Sequence, residues 1–243
     1  MAATKADGAL LREALSKFLD DPNAVLRPTE GGANNVVQFV ETGGKTYVLR
    51  VYNNGNKTDH VHFEHELLNQ LHAQAPNLSF GLPKFHPIKG GVQTYAGVSN
   101  GAQACMCDVI PGVLPKTTNP AILGRAAGQL STALETVKID LKAPTPPYFD
   151  IWDVHTHINP EAYKQETEKP EMDFIREPIN TLTKLFGECM ERVETYKGTL
   201  PMQLIHGDLH YDNCLVADSQ DRVRPLRLNL RLVVAGDDVW HAF

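Results

Sequence analysis

The chain has 243 residues, with 23 Lys plus Arg against 29 Asp plus Glu, for a net charge of -6. That length supports one or two domains with a sizeable core, and the acidic balance leaves no electrostatic footprint for nonspecific nucleic-acid binding. At 42% hydrophobic and 21% charged, the composition is that of a folded globular chain and not of a disordered one.

Apolar runs are only a few residues long, so no membrane span is expected. The N-terminus MAATKADGAL contains no apolar segment of the secretory kind. Cys105, Cys107, Cys189 and Cys214 are too few and too scattered for a disulfide framework. They fit a reducing compartment, and a cytoplasmic protein is expected.

Leu11, Leu15, Phe18 and Leu19 recur at helical spacing and predict a helix over 8–19, ended by Asp20-Asp21-Pro22-Asn23. Val36–Val40 and Tyr47–Tyr52 read as strands, joined by Glu41-Thr42-Gly43-Gly44-Lys45 as a hairpin with a glycine turn. A helix is predicted over about Asp59–Gln74 and strands near Gly91–Val98 and Ala104–Ile110. Pro111-Gly112 then breaks the chain, and its character changes from sheet to helix. Asn119 and Pro120 look like an N-cap and first helical position. Ile122, Leu123, Ala126, Leu130, Leu134 and Val137 follow on one stripe. Residues 140–172, rich in proline and aromatics, are expected to be irregular. Ile179, Leu182, Leu185, Phe186, Met190 and Val193 mark another amphipathic helix, and Leu200–Ile205 leads into a polar loop.

That loop carries the strongest chemical signal, His206-Gly207-Asp208-Leu209-His210-Tyr211-Asp212-Asn213. An Asp followed five residues later by an Asn suits phosphoryl transfer. The Asp can accept the proton of an attacking hydroxyl, and the Asn amide oxygen can hold a magnesium ion on the phosphates. The alternative is a solvated turn, since His, Gly, Asp and Asn are all turn residues.

The octet resembles the HGDxxxxN signature of the aminoglycoside phosphotransferase and choline kinase superfamily. The resemblance spans about residues 25–223. It implies an α+β, protein-kinase-like two-lobed fold. An antiparallel-sheet N-lobe with one helix would occupy 1–110, and a mostly helical C-lobe 111–243. By that resemblance Asp208 is the catalytic base, Asn213 a magnesium ligand, and His206 the residue that orients the loop.

The upstream features follow in the order the resemblance requires. Glu30-Gly31-Gly32-Ala33-Asn34-Asn35 is similar to the family's nucleotide-phosphate turn. Glycines let backbone N–H groups approach phosphates closely, so Gly31, Gly32 and Asn34 are candidates. Arg50 sits in Tyr47-Val48-Leu49-Arg50-Val51-Tyr52, sharing a strand face with Val48 and Tyr52. The family holds the α- and β-phosphates with a cation at this place. Such a cation pairs with a glutamate on the next helix. Glu64 lies within the apolar stripe of Val61, Leu67, Leu68 and Leu71, whereas Glu66 points away, so Glu64 is the expected partner. The linker Cys107-Asp108-Val109-Ile110-Pro111-Gly112 matches the adenine-contacting segment by position, which singles out Asp108 and Ile110.

Three other patterns carry less. Gly43-Gly44-Lys45-Thr46 resembles the end of a P-loop, but the required earlier glycine is Phe39. His155-Thr156-His157 and Cys105-x-Cys107 lack further ligands at metal-binding spacing. Tyr148, Phe149, Trp152, Asp153 and Tyr163 fall where the family assembles its acceptor pocket; they suit an amine substrate and ordinary loop packing equally.

The resemblance fails at the end of the chain. The family's second metal-binding Asp should fall near position 228, where this sequence reads Arg224-Pro225-Leu226-Arg227-Leu228-Asn229-Leu230-Arg231. Residues 224–243 therefore form an atypical tail, and the resemblance implies an incomplete C-lobe. The expected function is an ATP- and Mg2+-dependent small-molecule kinase. Its acceptor is a hydroxyl of a small metabolite, with homoserine or a related amino alcohol favoured. No nucleic-acid or membrane partner is expected. The alternative is a catalytically impaired pseudokinase that at most binds nucleotide.

Overall fold

The computed structural model describes residues 8–29, 35–53, 57–74, 77–113, 120–147, 149–154, 159–207, 209, 213–216, 228–230 and 241–242. Two compact units divide the chain. One comprises Met1–Pro144 with His206–Trp240, and the other Thr145–Ile205 with His241–Phe243.

The first unit opens with helix α1 (Gly8–Ser16), then strands β1 (Val25–Pro28), β2 (Val36–Thr42) and β3 (Lys45–Val51). Helix α2 (Thr58–Ala73), the short β4 (Phe80–Gly81), β5 (Tyr95–Gly97) and β6 (Gln103–Asp108) follow. Five strands form an antiparallel sheet in the order β1-β2-β3-β6-β5. Gly43 and Gly44 turn the β2–β3 hairpin with φ of 54° and 74°. Both central residues of a type I′ turn need that left-handed backbone, and glycine adopts it without a Cβ penalty.

Alternation along β3 decides what each residue meets. Leu49 and Val51 face α1, in register with Met106 and Ala104 of β6. They join Leu11, Ala14, Leu15 and Phe18 of the α1 segment in one buried cluster. Each large aliphatic buried there stabilises the fold by about 1.5–3 kcal/mol. Arg50, one residue out of phase, pairs with Cys105 on the opposite face. Tyr52, Val61 of α2 and Cys105 form a second buried cluster there. The sheet thus sets Leu49 and Val51 toward α1 and Arg50 and Tyr52 beside α2.

Helix α3 (Pro120–Thr136) buries Ala126, Leu130 and Leu134 of the predicted stripe, together with Ala133. Gln70 of α2 ties on the segment after it through both amide atoms: Nε2 donates to Lys138 O at 2.8 Å, and Oε1 accepts from Lys138 N at 3.0 Å.

In the second unit lie α4 (Ile151–Val154), α5 (Pro160–Thr167), a 3₁₀ turn (Pro170–Ile175), α6 (Arg176–Tyr196) and β7 (Leu204–Ile205). The expectation of an irregular 140–172 is therefore corrected. Pro160 starts a helix there: it occupies the first turn, where no N–H is missed, and the Asn159 side chain accepts from Ala162 N at 2.7 Å. Trp152 packs edge-on to Phe186 at 5.4 Å between ring centres.

Two later strands, β8 (Cys214–Val216) and β9 (Leu228–Leu230), return to the first unit. There β9 lies between β4 and β8, parallel to the first and antiparallel to the second. The tail read as atypical in sequence thus contributes a paired strand. Finally β10 (His241–Ala242) pairs with β7. Among the described residues no helix is long and apolar enough to cross a membrane.

Candidate functional site

A cleft of about 590 Å³ opens on the first unit. Its walls come from the ends of β1 and β2, from Val48 and Arg50 of β3, from the linker after β6, and from Leu215 of β8. Val48, Val109, Ile110 and Leu215 give it an apolar section, and Arg50 places a cation on its wall. Apolar walls with few polar groups are the usual form of a small-molecule site.

Arg50 and Glu64 are brought together. Arg50 Nη1 donates to Glu64 Oε1 at 3.3 Å, with side-chain exposures of 12% and 1%. Glu66, the rival on the same helix, instead accepts from Gln70 at 3.0 Å. Burial pushes the Glu64 carboxyl up to about 7, against the Arg50 charge and the Tyr52 hydroxyl, which pull it down. Burial also works against the Arg50 charge, but the surrounding acidic groups, Tyr52 and Glu64 first, hold the guanidinium protonated. The Tyr52 ring lies 5.5 Å from the guanidinium carbon, within cation–π range.

Both Asp108 and Ile110 line the cleft. Asp108 is fixed from two sides. Its N–H donates to Lys84 O at 3.2 Å, and its Oδ1 lies 2.8 Å from His86 Nε2. Cys105 and Cys107 fall on the same face of β6, in register with Arg50 and Val48, the first beside Tyr52 and the second on the cleft wall. Among the described residues, no group of three or more His, Cys, Asp or Glu side chains is placed to hold a metal ion.

The linker is stapled to β8. Val113 N donates to Val216 O at 2.9 Å, and Val216 N donates back to Val113 O at 2.9 Å. Gly112 makes that approach possible, because a Cβ there would lie 2.9 Å from Val216 O and 3.0 Å from Leu215 Cβ. This contact was not anticipated from the sequence. Its only trace is a glycine after a proline.

At the other end of β8 stands Asn213, buried at 4% exposure. His206, upstream in the same octet, is equally buried at 4%. Gly207 between them has φ 75°, a backbone state that explains why glycine follows His206. Asp208 lies outside the described residues, as do Gly31, Gly32, Asn34, His155, His157 and Tyr148. Their flanks are described. Thr29 Oγ1 donates to Val37 O at 3.2 Å, and Asn35 Oδ1 accepts from Asn53 N at 3.0 Å. Thr29 also lines the cleft.

Several solved structures share this fold at low sequence identity. A microcompartment-associated aminopropanol kinase superposes with a TM-score of 0.68 at 19% identity, over 97% of this chain and 71% of that one. An aminoglycoside phosphotransferase from Alicyclobacillus acidocaldarius gives 0.54 at 14% identity, over 95% and 69%. Another aminoglycoside phosphotransferase, crystallised with AMP-PNP and hygromycin B, gives 0.50 at 15% identity, over 96% and 72%. No curated protein sequence matches the chain. The sequence profile of the phosphotransferase enzyme family, however, matches residues 25–224, from the start of β1 to beyond β8. The chain belongs to the phosphotransferase enzyme family.

Proposed function

We propose that the protein is an ATP-dependent kinase that phosphorylates a hydroxyl group of a small amino alcohol, with homoserine or a close relative as the favoured acceptor. The observation that carries this reading is the buried pairing of Glu64 with Arg50, the cation on the wall of the cleft, within a chain whose family transfers phosphoryl groups. The aminopropanol kinase among the structural neighbours supports an amino alcohol over a large antibiotic.

The residues present fit a nucleotide and its metal. An adenine ring suits the apolar section beside Ile110, where the linker backbone is at hand. Arg50, kept charged, would hold the α- and β-phosphates, and the glycine turn of Gly31, Gly32 and Asn34 would close over them. Asn213 supplies a neutral oxygen donor suited to Mg2+, which when bound neutralises charge on the phosphates. Asp208 would take the proton from the acceptor hydroxyl as its oxygen attacks the γ-phosphorus. His206 would keep the loop carrying Asp208 in place. The lobes would meet at the linker, with 1–110 on the nucleotide side and 111–243 on the acceptor side, and a cytoplasmic location is part of the reading.

A second reading rests on a specific observation. Strand β9, Leu228-Asn229-Leu230, carries no carboxylate for a second metal contact. A nucleotide-binding protein without turnover would look the same. One experiment separates the two: Mg2+-dependent ATP turnover over a panel of amino alcohols, with Asp208→Asn alongside. Turnover reduced roughly 10²–10⁴-fold by Asp208→Asn supports the kinase. Nucleotide binding with no turnover on any acceptor supports the second reading.

A further inference from the structure

Arg50 and Glu64 each have a neighbour that repeats their contact. Tyr52 stands two residues beyond Arg50, and His65 directly follows Glu64. The Tyr52 hydroxyl lies 3.2 Å from His65 Nε2, parallel to the 3.3 Å ion pair. Both residues are buried, Tyr52 at 3% and His65 at 2% exposure.

Cys105 Sγ donates to the Tyr52 oxygen at 3.4 Å. On its other side His65 Nδ1 lies 2.6 Å from Thr94 Oγ1, so both ring nitrogens are hydrogen-bonded. The ring also stacks on Phe85 with centres 4.0 Å apart. Burial, with Arg50 and His62, keeps His65 neutral by holding its pKa down at about 3. A hydroxyl and a neutral imidazole thus bind the end of β3 to α2.

We propose that Tyr52 and His65 are positioning residues, forming a second tie between strand and helix that holds Glu64 against Arg50. The proposal rests on the reading of Arg50 as the phosphate-holding cation. A charged pair alone would be a poor anchor, since Arg50 must also serve phosphates on the cleft wall. The second tie keeps α2 in place when Arg50 divides its hydrogen bonds between Glu64 and a ligand. Glu64 is faced by Arg50, Tyr52 and Cys105, and His65 by Arg50 and His62.

The test uses the full chain with Tyr52→Phe, which keeps the ring beneath Arg50. Thr94→Val, which frees the far side of His65, is a milder second variant should the first fail to fold. Glu64→Gln is the reference. The first readout is urea unfolding across pH. Simple loss of the hydroxyl removes a group that pulls Glu64 down, so its titration window would move to higher pH. Loss of positioning hydrates Glu64, so the window moves down toward ordinary carboxylates. The downward shift is expected in Tyr52→Phe, and in smaller measure in Thr94→Val. An upward or absent shift overturns the proposal.

The second readout is affinity for Mg·ADP. Tyr52→Phe should weaken it roughly fivefold, the scale of one hydrogen bond. In the Glu64→Gln background it should weaken it no further. Independent losses in the two backgrounds overturn the proposal. If the unaltered chain binds no nucleotide, the reading of the cleft fails, and the pH profile still decides the tie.

Discussion

The two units bury their helices very differently. In the first, α2 buries Val61, Phe63, Glu64, His65, Leu67, Leu68 and Leu71 along a single helix. In the second, α6 spans Arg176–Tyr196 and buries no residue, with Leu182 at 63% and Leu185 at 50% exposure. Both sequences are periodic, and both form helices. Periodicity therefore announces a helix but not the surface that covers it. Among the described residues, burial is concentrated in the first unit, where the sheet receives α1 on one face and sets Arg50 and Tyr52 beside α2 on the other.

Substitutions can break or sharpen this contrast. The largest effect is expected at the ion pair. Glu64→Ala should cost about 3–5 kcal/mol in urea unfolding, because it strands a largely buried guanidinium. Leu49→Ala, at a residue with no exposure, should cost about 2–5 kcal/mol. Gly112→Ala should cost about 1–3 kcal/mol, since its Cβ must displace β8 by the staple. It should also raise the Mg2+ concentration needed for nucleotide binding if Asn213, on the same strand, holds the ion. At the small end, Leu182→Ala on α6 should fall within about 0.5 kcal/mol of the unaltered chain. A loss comparable with that of Leu49→Ala would show that the exposed face of α6 is covered in solution and would erase the contrast.

The same contrast has a pH signature. Glu64 titrates at about 7 in the folded chain and at 4.5 as a free side chain. The native state therefore binds this proton more readily than the unfolded state. Its contribution is fully present below the unfolded value and is lost as pH rises through the folded one. Unfolding midpoints in urea should fall between about pH 4.5 and 7 and then level off, and Glu64→Gln should remove that slope.

Much of the first unit was legible in the sequence because local chemistry and global packing agree there. Gly43-Gly44 between alternating strands announced the hairpin. The stripe through α2 distinguished Glu64 from Glu66. Strand β1 escaped notice because Val25–Pro28 is short, sits on a sheet edge and ends in proline. Helix α5 escaped notice because the proline and aromatic content of 140–172 suggests an irregular chain, whereas Pro160 opens the helix. The partnership of Tyr52 with His65, and that of Val113 with Val216, left no sequence signal. Each joins residues whose proximity only the folded sheet creates. Of the candidate site residues singled out by their order along the chain, Arg50, Asp108 and Ile110 line the cleft, and Glu64 pairs with Arg50 behind it.

The small sheet of β4, β9 and β8 draws its strands from near residues 80, 228 and 214. The five-stranded sheet, by contrast, is complete once Asp108 has been made. During synthesis the larger sheet can close while more than half the chain is still unmade, whereas the smaller one must wait for its middle strand. Contacts of such long sequence separation form late and slowly. The wall bearing Arg50 can therefore exist well before Asn213 and β8 are locked beside it, and competence to bind a nucleotide should be among the last properties the newborn chain acquires.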